Sequence, residues 1–320
     1  MTAMNRRTKA ATALGAALAL LLAGCGDDGG GTTTPGGGDD PNADALAGAE
    51  LTIGSKEFTE SNILAWITIA ALENAGADAG GDVASLSGSA TVREALESGE
   101  VDMYWDYTGT GWVNILGNTT EDVPEDLYAA VAEADAANDI AWLEPAPMND
   151  TYRIAINSDF ASENSLATMS DAATFIQENP DEGVLCAASE FINREDGLPG
   201  LETAYGFEFS EVVEVDLSLV FTQVGDTCQF GEVFSTDGRI PANDLTVLED
   251  DEGFFVEYNA ALTLRQETLD EFPAIEEIMA PISEALTDEE ITALNALVDV
   301  DGETEEDVAR QWMEDNGFVG

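Results

Sequence analysis

The chain has 320 residues, with ten Lys and Arg against 65 Asp and Glu, no histidine, and a formal net charge of −55. An excess of acid this large excludes nucleic-acid binding through phosphate contacts, which need clustered cations. The absence of histidine removes the usual general base and the commonest metal ligand, so the sequence gives little support for catalysis and predicts neither a metal nor a cofactor.

The first 24 residues predict a secretory signal peptide. Residues 6–9 are basic, residues 10–22 are apolar, and this apolar run is too short to span a membrane as a mature helix. It closes with Leu22-Ala23-Gly24-Cys25, which resembles a bacterial lipobox, in which Cys25 is diacylated and becomes the new N-terminus. The prediction is a protein outside the cytoplasm, held to the membrane only by this lipid. Ordinary secretion with Cys25 as a spare thiol is the alternative.

Residues 25–49 predict a flexible tether, because they are rich in Gly, Asp, Thr and Pro and poor in apolar side chains. The remaining length suits two domains. Once the basic leader is removed, seven cations face all 65 acids, which are spread over the whole chain. Such a surface indicates adaptation to a saline exterior. A solvated acidic surface with no meaning for habitat is the alternative.

The first predicted strand, Leu51–Ile53, leads into a loop that holds Lys56, the only lysine of the mature chain. A protein so poor in cations keeps one where a ligand or partner needs it, which makes Lys56 the first candidate for a ligand site. A surface lysine without a role is the alternative. Thr59 or Ser61 is predicted to cap the helix that follows.

The other predicted elements alternate along the chain: a capping box at Thr91-Val92-Arg93-Glu94 with its helix ending at Gly99, strands at Val101–Trp105, Arg153–Asn157 and Gly183–Ala187, a partly helical stretch over 166–179, and final helices starting at Thr287 and Thr304. This alternation predicts parallel α/β layers. Ligands of open α/β sheets bind beyond the carboxyl ends of strands. The Lys56 loop and the segment Tyr107–Thr110 would both lie at such ends.

Two cysteines remain besides Cys25. In an oxidising compartment a disulfide between Cys186 and Cys228 is expected. Whether their side chains meet is a question of geometry that spacing alone leaves open, so two free thiols are the alternative.

Several segments together carry a family resemblance: Gly54–Glu60, Asp102–Thr110, Asn149–Tyr152, Glu190–Leu201, Phe234–Ile240 and Tyr258–Ala260. In this order they resemble the glycine betaine/choline-type substrate-binding proteins of ABC importers for compatible solutes. The resemblance covers about residues 50–320. It implies an α/β, two-lobed periplasmic-binding-protein fold (type II), with the ligand in the cleft between lobes.

The resemblance also implies the division of the chain. Residues 50–150 with 258–320 would form one lobe, and residues 151–257 the other. Tyr152 and Tyr258 would then lie at the hinges, where closure brings their rings onto the ligand.

The resemblance implies a cage of aromatic rings. A quaternary ammonium cannot donate hydrogen bonds, so a site must hold it by the negative faces of such rings. Tyr107, Tyr152 and Tyr258 match the cage positions of the family, and Phe234 stands where a tyrosine is common in relatives. Asp150 is implied to be a neighbour of the cage through its backbone carbonyl.

The carboxylate of the ligand would meet Lys56, Arg194 and the hydroxyl of Thr110, a charge-assisted pairing that such a group needs when it leaves water. The implied function is the capture of glycine betaine or a related quaternary ammonium osmoprotectant, and its delivery to an ABC permease. Binding of choline or carnitine, and a sensor domain that reports a ligand without transport, are the alternatives. An enzyme on the same fold is disfavoured by the lack of histidine and of a free thiol.

Overall fold

The computed structural model describes residues 42–320. The predicted signal peptide, Cys25 and the tether up to residue 41 lie outside the described residues. The predicted tether extends too far, because residues 42–49 pack on the folded part. Leu46 and Ala49 are each 1% exposed, and the backbone N–H of Leu46 donates to the carbonyl of Ala75. The two buried side chains of this alanine-rich segment cover the end of the first helix.

The strands of the described chain are short: β1 (Gly54–Lys56), β2 (Ala84–Leu86), β3 (Met103–Tyr107), β4 (Ile140–Trp142), β5 (Tyr152–Asn157), β6 (Val184–Ala187), β7 (Glu211–Glu214), β8 (Phe230–Phe234), β9 (Leu245–Val247) and β10 (Ala260–Arg265).

The α-helices are α1 (Thr59–Asn74), α2 (Ser89–Ser98), α3 (Leu127–Asp135), α4 (Ser158–Asn164), α5 (Met169–Glu178), α6 (Ser189–Asn193), α7 (Leu198–Tyr205), α8 (Leu217–Gln223), α9 (Arg239–Ala242), α10 (Gln266–Glu271), α11 (Ala274–Ala285), α12 (Asp288–Asp299) and α13 (Glu305–Asp315). A π-helical turn covers Thr110–Ile115, and 3₁₀ turns cover Thr120–Asp122, Ala136–Asn138 and Pro180–Glu182. Within residues 42–320, no helix has both the length and the apolar character needed to cross a bilayer.

One group of elements that pack together, here called the first lobe, consists of β1–β4, β10, α1–α3 and α10–α13. Its strands form a parallel pair, β1-β2, and a three-stranded sheet in the order β3-β10-β4. An isolated bridge between Ile53 and Met103 links the two sheets. Helix α1 packs against α11, α12 and α13 and against β3. Because it is surrounded on several sides, α1 buries most of its length rather than a single stripe.

The other group, here called the second lobe, consists of β5–β9 and α4–α9. Its five strands have the order β7-β6-β8-β5-β9, in which β6 is parallel to β7 and β8, while β5 is antiparallel to β8 and β9. A disulfide joins Cys186 of β6 to Cys228, just before β8, with their Cα atoms 5.7 Å apart. It lies in a buried cluster with apolar side chains of α8.

The chain crosses between the lobes twice, and the two crossings run side by side. Asn149 and Asn259 form an antiparallel bridge. The N–H of Asp150 donates to the carbonyl of Tyr258, and the hydroxyl of Thr151 donates to the carbonyl of Val256, both at 3.1 Å. Such a paired, two-segment connection is what a hinge between lobes requires.

The alternation of elements predicts parallel strands, and this prediction is wrong for two strands. β5 and β10 pair antiparallel with their neighbours. These are the strands that begin directly after each crossing. Each therefore enters its lobe from the hinge side and runs against the strands already there.

Three local predictions also need correction. The first strand is Gly54–Lys56 rather than Leu51–Ile53, so Lys56 ends a strand instead of lying in a loop. Neither Thr59 nor Ser61 caps α1, since the hydroxyl of Ser61 accepts the backbone N–H of Lys56 instead. Helix α2 begins at Ser89, before the predicted capping box, although it does end at Gly99 in a left-handed conformation.

Candidate functional site

A cleft of about 910 Å³ lies between the lobes and is lined by residues of both. The first lobe contributes the ends of β1 and β3 and the start of the π-helical turn. The second lobe contributes the start of β5, helix α6 and the end of β8. The structure brings all eight predicted ligand-binding residues to this one cleft: Lys56, Tyr107, Thr110, Asp150, Tyr152, Arg194, Phe234 and Tyr258. Their roles towards a ligand stay predictions.

Five aromatic rings form a continuous wall of the cleft, here called the aromatic cage: Phe58, Tyr107, Tyr152, Phe234 and Tyr258. The rings of Phe58 and Phe234 stack with centroids 5.4 Å apart, and Phe234 lies 5.0 Å from Tyr152. Tyr152 meets Tyr258 edge to face at 5.5 Å. Such a wall offers π faces in several orientations, which suits a compact cation without hydrogen-bond donors.

The three tyrosine hydroxyls of the cage have different surroundings. Tyr107 donates to Glu60 at 2.8 Å, and Tyr258 donates to Asp196 at 2.5 Å. Among residues 42–320, the hydroxyl of Tyr152 has no hydrogen-bond partner within reach. Burial raises the pKa of all three phenols well above the usual value, so the cage tyrosines remain neutral.

Lys56 is buried, and its charge is already compensated. Its ammonium lies 2.8 Å from Oδ1 of Asp106, which is fully buried, and 4.9 Å from the ring centre of Tyr107. The other oxygen of Asp106 accepts the hydroxyl of Tyr104. The lysine thus lines the cleft as one half of a buried ion pair. A ligand anion that bound the Lys56 ammonium would therefore share it with Asp106.

Arg194 is held in the same way. Nε and Nη2 form a two-pronged contact with Asp196, at 2.8 and 2.5 Å, and Nη1 lies 2.6 Å from Glu190. Nη2 also reaches the hydroxyl of Thr110 at 3.4 Å, across the cleft. The fixed fork of a guanidinium suits this bidentate pairing. Of the three predicted partners of a ligand carboxylate, the two cations, Lys56 and Arg194, are therefore engaged by carboxylates of the chain itself.

Glu190, on α6 of the second lobe, reaches across to the first lobe. Oε1 accepts the hydroxyl of Ser89 at 2.7 Å, and Oε2 accepts the backbone N–H of Ser89 at 3.2 Å. Burial raises the pKa of Glu190, but the charges of Lys56 and Arg194 and the Ser89 hydroxyl outweigh it, and the net pKa is lowered. Glu190 is consequently an anion at neutral pH.

A buried carboxyl pair lies beside the cage, at the hinge. Oγ1 of Thr236 is 2.6 Å from Glu60 and 2.5 Å from Asp150. A hydroxyl has one hydrogen, so it donates to one carboxyl and must accept a proton from the other. Tyr107 and Asn295 also donate to Glu60, which makes Glu60 the anion and Asp150 the acid. Burial, followed by the charge of Glu60, raises the pKa of Asp150 well above its usual range.

Glu232, on β8, is a second neutral acid of the cleft. Its carboxyl accepts the backbone N–H of Ala188 at 2.7 Å. Burial raises the pKa of Glu232 to about 8, against the lowering effect of that hydrogen bond. Protonation removes a negative charge that the site would otherwise carry at neutral pH.

Sequence reasoning missed several residues of the site. Phe58 lies within the Gly54–Glu60 motif, and its aromatic side chain was a usable signal. Glu60 and Glu190 also lie in recognised motifs, but in a chain with 65 acids no single carboxylate stands out. Glu232 carried no signal, since its importance comes from burial. In the described part of the chain, no three acidic or thiol side chains converge as a metal site would require.

Two lobes, a paired hinge and an aromatic cleft together define a solute-binding protein. The family model of OpuAC, described as the substrate-binding domain of ABC-type glycine betaine transport systems, matches residues 49–315, and the chain belongs to this family. The resemblance predicted from the motifs is confirmed, as is the two-lobed α/β fold.

Three relatives illustrate the similarity. The chain is 35% identical over 287 residues to the glycine-betaine-binding protein of Pseudomonas aeruginosa, across 87% of this chain and 91% of that protein. It is 30% identical over 284 residues to the glycine betaine-binding protein YehZ of Escherichia coli, across 85% and 92%. The solved structure of apo YehZ matches with a TM-score of 0.61 at 30% identity, covering 85% of this chain and all of that one.

Proposed function

We propose that this protein captures glycine betaine, or a closely related quaternary ammonium osmoprotectant, outside the cytoplasmic membrane and delivers it to the permease of an ABC importer. The observation that carries the proposal is the aromatic cage. Its five rings line a single cleft between hinged lobes. A trimethylammonium group fits such a wall because cation–π attraction needs no hydrogen bond from the ligand. The names of the relatives point to the same ligand class.

The polar part of the cleft supports a ligand with a carboxylate. Lys56, Arg194 and Thr110 line the cleft together with the cage. In the proposed complex the carboxylate lies near these three residues, and the cations share it with the chain's own acids. The backbone of Asp150 is the proposed fourth polar neighbour, since its carboxyl is engaged with Thr236.

The hinge supports capture by closure. The proposed lobes are residues 50–150 with 258–320, and residues 151–257. Tyr152 follows the first crossing directly and Tyr258 lies within the second, so that closing the lobes moves their rings towards the ligand.

Attachment to the membrane is proposed through a lipid on Cys25, after removal of the first 24 residues. The protein acts as a binding protein without catalytic activity. Cell fractionation checks the anchor: the wild-type chain is expected in the membrane fraction at its processed size, and the Cys25→Ala variant either in the soluble fraction or as the unprocessed precursor. Equal distribution of the two proteins, both at the processed size, would contradict a lipid anchor.

The ligand is tested by isothermal titration of the mature chain without its lipid. Glycine betaine, choline, proline betaine, carnitine and ectoine are titrated separately. We expect saturable binding of at least one quaternary ammonium compound, with ectoine weaker because it lacks a trimethylammonium group. Absence of binding by all of the quaternary ammonium compounds would overturn the proposed function.

A further inference from the structure

The corner of the cleft around Ser89 is built to hold a carboxylate. Ser89 is the first residue of α2, a helix of ten residues, and both its N–H and its hydroxyl face the second lobe. Arg194 adds a third donor at 2.6 Å, and Lys56 lines the same cleft. An anion is stabilised there by the helix N-terminus and by two cations.

That place is occupied by the chain itself. The carboxylate of Glu190 takes the two donors of Ser89 and one prong of Arg194, so both of its oxygens are used. The charge of Lys56 also acts on it. These cations are the ones that a betaine carboxylate would need. A side chain of the second lobe thus imitates the acidic end of a zwitterionic ligand.

Resting on the function proposed above, we propose that Glu190 is a built-in carboxylate that competes with the carboxylate of the ligand and thereby sets the preference between zwitterionic betaines and cationic cholines. A choline-like ligand leaves Glu190 in place and is attracted by its charge. A betaine has to displace Glu190 from Ser89 and Arg194, or to bind beside it against like-charge repulsion.

The side chain is suited to this exchange. Glu190 remains 32% exposed, whereas Asp106 and Asp196, the other acids that pair with the cleft cations, are 0% and 1% exposed. Glu190 can therefore swing into water without leaving a charge stranded in the core. The buried acids cannot, because an unpaired buried charge is strongly unfavourable.

The test is the Glu190→Gln variant, which keeps the size of the side chain and removes its charge. Glycine betaine and choline are titrated into both proteins, and the ratio of their dissociation constants, choline over betaine, is compared. We expect this ratio to rise about tenfold or more, because betaine no longer competes with an anion and choline no longer has one to attract it. The matched control is Glu178→Gln, an exposed acid of the same lobe away from the cleft, which should leave the ratio unchanged.

A second variant guards against a folding defect. Glu190→Asp keeps the charge but is too short to reach Ser89 from α6, so betaine should bind more tightly while choline changes little. Equal weakening of both ligands in Glu190→Gln would show that Glu190 only latches the lobes, and would overturn the proposal. Wild-type protein that binds none of the quaternary ammonium compounds titrated above would instead refute the proposed function, which distinguishes the two failures.

Discussion

Each of the three tyrosines of the cage contributes an aromatic ring, but their hydroxyl groups have different roles. Tyr107 and Tyr258 each supply a hydrogen bond to a buried acid, Glu60 and Asp196 respectively. These hydroxyls hold the rings in position and also stabilise the carboxylates. Tyr152 contributes its ring alone. At the scale of single residues, binding and structural support are therefore separable in this site.

The cage predicts an ordered response to substitution. Tyr152→Phe should change quaternary ammonium affinity little, since no hydrogen bond is lost. Tyr152→Leu keeps apolar bulk but removes the π face, and should cost about 1–2 kcal/mol of binding free energy. Tyr107→Phe and Tyr258→Phe should lower protein stability by about 1–3 kcal/mol, because each leaves a buried acceptor with one donor fewer. Titration calorimetry and urea denaturation measure the two effects.

A neutral ligand provides the control for this prediction. A purely hydrophobic pocket would accept leucine as well as phenylalanine at residue 152. It would also bind the uncharged tert-butyl analogue of betaine about as tightly as betaine itself. Tight binding of that analogue would contradict the cation–π account of the cage.

Glu232 predicts a pH dependence of stability. Its pKa is raised to about 8 in the folded protein, whereas an unfolded glutamate titrates near 4.5. The folded state therefore holds the proton more tightly, and the stability from this group is lost as pH rises from about 4.5 to 8. Glu232→Gln has no such titration. The stability of wild type relative to this variant, from urea denaturation, should fall between pH 5 and pH 8, and a constant difference would contradict the raised pKa.

At the scale of elements, the sequence predicts helix starts well where the cap is local. Thr287 and Thr304 cap α12 and α13 through the N–H groups of Glu290 and Asp307, three residues on. The sequence does not predict the start of α2, because the backbone N–H of its first residue, Ser89, donates to Glu190 of the other lobe. No local pattern records a partner 101 residues away.

The direction of the strands and the ion-pair partners of the site residues could not be predicted for the same reason: both depend on contacts between residues far apart in sequence. Motifs were enough to place eight residues in one cleft, because family resemblance reports shared chemistry at each position. They did not indicate that Lys56 and Arg194 are neutralised by Asp106 and Asp196. In a chain with so many acids, the choice of partner is decided by tertiary packing.

The disulfide of the second lobe predicts a stability effect at this scale. It links residues 42 apart and ties β6 to the turn before β8, in the centre of the five-stranded sheet. In the chain-entropy model, closing such a loop stabilises the fold by about 4 kcal/mol. The double variant Cys186→Ala, Cys228→Ala should lose about this much in urea denaturation. Denatured, unreduced protein that starts after Cys25 should show no titratable thiol, and two thiols would contradict the bridge.

The whole molecule is dominated by like charge. The described residues contain seven Lys and Arg, and six of them form ion pairs with carboxylates: Lys56, Arg93, Arg194, Arg239, Arg265 and Arg310. Most of these cations are buried or nearly so, at the cleft or between elements far apart in sequence. The cations are thus engaged in specific internal contacts, and the surface acids repel one another with little compensation.

This charge distribution predicts that salt stabilises the folded protein. Screening shortens the range of repulsion from about 10 Å at 0.1 M to about 3 Å at 1 M salt. The compact state benefits more from this than the expanded chain, whose charges are already farther apart. Each kcal/mol of relieved repulsion should raise the melting temperature by about 2–4 °C in a protein of this size. Thermal denaturation in 0.1, 1 and 2 M NaCl is expected to show a steady rise, whereas sorbitol at matched osmolality supplies no screening and should give a smaller one. A melting temperature independent of NaCl, or equal increases in NaCl and sorbitol, would show that the surface charge does not limit stability.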